Sequence, residues 1–146
     1  MTQEDKDLLL KDLCARLPYG VMIDYESHIY MLNEIDPACK DMDYITCRIQ
    51  DVERLMCAKS VMIENIKPYL RPMSSMTEEE AEEYRNIDNR SYSCPMDYAH
   101  IPASDRIDWL LKNHFDFRGL IEKGLAIEVT EENNPHKNKN KNYVKD

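Results

Sequence analysis

Ile107, Leu110, Leu111, His114 and Phe115 recur at i, i+3, i+4, i+7 and i+8, the strictest helical periodicity in the chain. Such a stripe demands a helix with one side buried, beginning at Ser104 or Asp105. Beyond it, Asp116 can accept hydrogen bonds from the amides of further helical turns. Gly124 suits the left-handed position that closes such turns, and Leu125-Ala126-Ile127-Glu128-Val129 reads as an edge strand. This last third supplies packing, with Ile107, Leu111 and Phe115 as its expected buried centre.

The other elements follow from local chemistry. Thr2 can cap a first helix, with Asp5 three residues on, and Leu9, Leu10, Leu13, Cys14 and Leu17 fall on one side of it. Pro18 ends that helix and Gly20 turns the chain. Val21–Tyr25 and His28–Leu32 suggest a hairpin across Glu26-Ser27, although that turn lacks glycine. Tyr44–Ile49 alternates and is rich in β-formers, and Val61–Ile66 reads as a fourth strand. Asp51–Lys59 could form a short helix carrying Val52, Leu55 and Met56. Pro68 and Pro72 hold Lys67–Met76 extended as a connector. Thr77 with Glu80 forms a capping box for a helix running to about Arg85, and Asp88–Pro102 reads as a long loop.

These elements predict an α+β fold. An N-terminal helix leads into a small antiparallel sheet, which a barrel-like curvature would also fit, and C-terminal helices pack on it. Residues 1–132 are expected to form a single domain, and 133–146 a disordered Lys/Asn-rich tail. A chain of 146 residues is long enough to bury a substantial core.

The net charge of −9 repels phosphate, which disfavours DNA, RNA and anionic lipid and favours basic partners. The tail carries four lysines against Asp146, so residues 1–132 are more acidic still. The acidic N-terminus lacks the pattern of a signal peptide, and no apolar run reaches membrane-spanning length. The expected compartment is the cytoplasm. Cys14, Cys39, Cys47, Cys57 and Cys94 are odd in number and lack paired spacing, as reduced thiols would.

No catalytic, cofactor or metal motif stands out. Cys-x-x-Cys, Gly-x-Ser-x-Gly and Gly-rich phosphate loops are all missing from a chain with three glycines. The one stretch that gathers reactive side chains is the 88–102 loop, with Tyr92, Cys94, Asp97, Tyr98 and His100. It is the candidate interaction or active site, and alanine at Cys94 and His100 would separate the two readings. Leu120–Ile127 has the form of the end of a winged-helix unit, with Lys112, Arg118 and Lys123 nearby, which allows weak nucleic-acid binding as a further alternative. Nine tyrosines against two phenylalanines suit either a partner-binding surface or a small core whose aromatics reach its boundary.

Three blocks resemble a known group: Leu13–Val21, Lys67–Glu80 and Ile107–Ile121. They are similar to short uncharacterised proteins from gut Bacteroidales genomes and their phages or mobile elements. The resemblance implies a phage or mobile-element setting and no catalytic residues. With the acidic surface it gives the expectation of a non-catalytic accessory protein that binds another protein, such as a host factor. The alternative is a small enzyme with its site in the 88–102 loop.

Overall fold

In the computed structural model, which describes residues 1–36, 45–54, 58–91 and 101–138, seven strands form one mixed sheet flanked by helices. Helix α1 spans Gln3–Arg16, and Thr2 caps it by accepting from the Asp5 amide at 3.1 Å. Strands β1 (Val21–Tyr25), β2 (His28–Asp36), β3 (Thr46–Asp51) and β4 (Ala58–Met62) form an antiparallel meander. The β1–β2 hairpin turns through Glu26 (φ 50°) and Ser27 (φ 65°), so two ordinary residues take the left-handed region usually given to glycine. The short helix considered for Asp51–Lys59 is not formed at its end, because Ala58 and Lys59 already belong to β4.

Lys67–Pro72, expected as a connector, is instead strand β5, which pairs with three others. It runs antiparallel to β1 and parallel to β6 (Phe115–Asp116) and β7 (Ile127–Glu128). The amide needed for β6 is that of Arg71, which donates to the His114 carbonyl at 2.8 Å and lies between the two prolines. The sheet is therefore mixed. It does not close into a barrel: its path β4-β3-β2-β1-β5-β6 ends at two different strands.

Helix α2 (Glu78–Ser91) starts at the expected capping box. The Thr77 hydroxyl accepts from the Glu80 amide at 3.2 Å, and Glu80 accepts from the Thr77 amide at 2.9 Å. Helix α3 spans Ile101–Lys112, so both helices reach into the stretch read as a loop. Pro102 fits the first turn of α3, where its missing N–H has no partner to lose. Residues 120–124 form successive turns rather than a helix. Asp116 accepts from the Leu120 and Ile121 amides, each at 2.9 Å, and Gly124 closes the run at φ 72°.

The main core lies between α1 and one face of the sheet. Leu9 and Leu13 meet Val21, Ile23, Tyr30, Leu32, Ile49 and Val61 there, with Leu120 and Leu125 closing it. Phe115 is wholly buried and Leu111 is 3% exposed, but Ile107 is 40% exposed. Trp109 explains the difference: it stacks on Phe115 at 5.6 Å and tilts against Tyr84 at 5.5 Å, which turns the buried arc of α3 away from Ile107. Residues 133–138, assigned from sequence to the tail, dock on the sheet, with Pro135 buried and His136 against Tyr69; 139–146 lie outside the described residues.

Candidate functional site

The site expected from sequence, Tyr92, Cys94, Asp97, Tyr98 and His100, lies outside the described residues. Two of the three basic groups considered for nucleic acid are held by carboxylates: Arg118 by Asp12 at 3.1 Å and Lys123 by Asp5 at 3.5 Å. The tyrosines divide. Tyr30 and Tyr69 are buried, Tyr25 packs edge-on to Tyr30 at 5.9 Å, and Tyr84 belongs to the Trp109 stack. For these four the boundary-of-core reading holds.

Among the described residues, an accessible constellation lies on the face of β2, β3 and β4 turned away from α1. Strand alternation puts Leu32, Ile49 and Val61 inward. A bulge between Leu32 and Glu34 then resets the register, so that Glu34 opposes Arg48 and Asp36 opposes Thr46. Glu34, Asp36, Thr46, Arg48 and Ser60 line a shallow depression of about 190 Å³, with Cys47 at its floor. Asn33 donates to Gln50 at 2.9 Å beside it. Ile29 and Met62, each 37% exposed, add apolar surface to the same sheet. Chemically this is a hydrogen-bonding and ion-pairing surface. Burial, with a smaller contribution from Cys14, pushes the Cys47 thiol up to about 12, so it stays protonated at neutral pH and cannot serve as a nucleophile.

A second constellation is internal, and sequence reading missed it. Asp12 and Arg16, one turn apart on α1, are both wholly buried. Arg16 donates to both Asp12 oxygens (2.6 and 3.1 Å) and to the Phe115 carbonyl at 2.6 Å; Arg118 adds its contact to the same carboxylate. Phe117 lies near both guanidiniums, 5.7 Å from Arg16 and 4.7 Å from Arg118. This cluster ties α1 to the segment after α3. Its signal was present in the sequence as Asp and Arg at i and i+4, next to Leu9 and Leu13 on the helix.

A third group joins β5 to the helices. Arg71 makes two bonds of 2.8 Å to Glu80 and lies 4.2 Å over the Phe115 ring. The Arg71 hydrogen bond holds the Glu80 carboxyl below its ordinary range. At the end of α3, His114 (φ 64°) stacks on His136 with ring centroids 3.8 Å apart and planes 7° from parallel. Both groups look structural.

Compared with family models, with curated proteins and with solved structures, the chain gave no match in any of the three. Among the described residues no helix is long and apolar enough to cross a membrane.

Proposed function

We propose that this protein is a non-catalytic accessory protein that acts by binding another protein through the outer face of β2, β3 and β4. The observation that carries this reading is that face itself. Glu34, Asp36, Arg48 and Ser60 are exposed there beside Met62, with Ile29 further along β2, a polar and apolar mixture that a protein interface can use. The net charge of −9 steers basic partners toward it, and Glu34 and Asp36 supply the carboxylates that lysine or arginine side chains would meet. The three sequence blocks give the role a phage or mobile-element setting, with a host factor as the partner.

The test is capture from host lysate with three forms of the protein: wild type, a face variant (Glu34→Arg with Ser60→Arg), and a control (Lys11→Glu) on the exposed side of α1. One stoichiometric protein should be retained by wild type and control and lost by the face variant. Equal capture by all three would remove the face from the proposal, and no stoichiometric protein with any of them would remove protein binding.

A further inference from the structure

We propose that in the free protein the outer face of β2, β3 and β4 is covered by a second copy of this chain, in a two-fold pair that crosses Glu34 of each copy with Arg48 of the other. The proposal rests on the reading of that face as a docking surface, and adds what covers it before another protein arrives.

Glu34 and Arg48 are direct neighbours across β2 and β3. Both are exposed, and both line the depression. Opposite charges at such positions, with Cβ atoms ~5 Å apart, are well placed to bond each other. They do not: among the described residues neither side chain has a hydrogen bond or ion pair within the fold. By contrast Arg16, Arg71 and Arg118 each hold a carboxylate. The face therefore presents a carboxylate and a guanidinium side by side, each free to meet a charge from outside.

A wholly basic segment would satisfy Glu34 but set a like charge against Arg48. A surface with the same two charges in exchanged order satisfies both, and this face is such a surface. A two-fold axis lying along the strands, between β2 and β3, exchanges the positions of those strands and sets each Glu34 over the other copy's Arg48. The same rotation sets Asp36 over the other copy's Thr46, whose hydroxyl can donate to a carboxylate. Two sheets stacked ~10 Å apart leave room for side chains of this length. Met62, 37% exposed and opposite Thr46 in register, adds apolar contact at the border.

Each copy carries −9, which opposes approach at long range. Salt at about 0.15 M screens that repulsion beyond ~8 Å, whereas the crossed pairs act in contact. A patch of a few short strands falls below the ~800 Å² per partner of a standard interface, so the pairing is weak and reversible and another protein can displace it.

Analytical ultracentrifugation of the full chain in reducing buffer, from about 10 to about 300 μM at about 0.15 M salt, tests this. Wild type should show a concentration-dependent monomer–dimer equilibrium. Glu34→Arg and Arg48→Glu should each weaken it by about tenfold or more, because each sets like charges against each other at both crossed contacts. An equal mixture of the two variants should recover dimer to near the wild-type extent, since both contacts then join opposite charges. Wild type that stays monomeric throughout, single variants that associate as wild type does, or a mixture that stays monomeric would each overturn the pairing. No other protein is present in these measurements, so capture from host lysate remains the separate judge of the partner reading. A monomeric wild type that still captures one host protein through this face would overturn the self-pairing alone.

Discussion

Asp12 receives Arg16 at both carboxylate oxygens, and neither side chain is exposed to solvent. Arg118 and the Phe115 carbonyl complete the arrangement. Removing the carboxylate would leave two guanidiniums without their anion, one of them fully enclosed. Asp12→Asn should therefore destabilise the fold by about 3–5 kcal/mol in urea denaturation. Asp12→Leu with Arg16→Met removes both buried charges and should recover most of that loss. A single-variant cost below about 1 kcal/mol would show that the cluster is not structural.

The Arg71–Glu80 pair makes stability depend on acid. The Glu80 carboxyl has an ordinary value of 4.5, lowered in the fold chiefly by its Arg71 hydrogen bond. A lowered carboxyl stabilises the fold fully above pH 4.5, and the effect is lost as pH falls through the lower folded value. Glu80→Gln should cost about 1 kcal/mol at neutral pH and nothing once the carboxyl is protonated. Denaturation midpoints of the two proteins should converge on acidification. Parallel curves would contradict this.

Replacing Leu111 and Ile107 separates buried from exposed positions on one helix. Leu111→Ala should cost about 2–5 kcal/mol. Ile107→Ala, at a site 40% exposed, should cost less than about 1 kcal/mol. Equal costs by chemical denaturation would restore Ile107 to the core.

Glu26 and Ser27 both sit in the left-handed region. Glu26→Asn with Ser27→Gly provides residues that adopt it without strain, and should raise stability by about 1 kcal/mol. A lower thermal midpoint in the double variant would count against the turn geometry.

Cys47 is 1% exposed and its thiol is pushed up to about 12. Alkylation of the native protein at about pH 8 should leave Cys47 unmodified, and denaturant should expose it to reagent. Peptide mapping of the labelled chain reads this directly; fast native labelling would refute the burial.

Much of the frame was legible because it depends on local rules. The Thr2 and Thr77 caps and the hairpin follow from residues within a few positions of one another, as does the acceptor role of Asp116, although the residues after it form turns and not the expected helix. β5 was not legible, because two prolines look like a break in the ladder and only distant partners, β1, β6 and β7, make the segment a strand. Ile107 fits the stripe of α3 in sequence, but Trp109 and Tyr84 decide which arc is buried. The outer-face depression was hidden for a similar reason. The Leu32–Glu34 bulge shifts Glu34 and Asp36 by one residue, and simple alternation cannot foresee it.

Lys59 opposes Ile49 and reaches toward Tyr30, with Nζ 3.4 Å from the phenol oxygen, so the last strand of the sheet carries an ammonium on its core side. Another copy adding to β4 would have to cover that cation and strip its water. Self-templated growth into fibrils is thus opposed at this edge of the sheet.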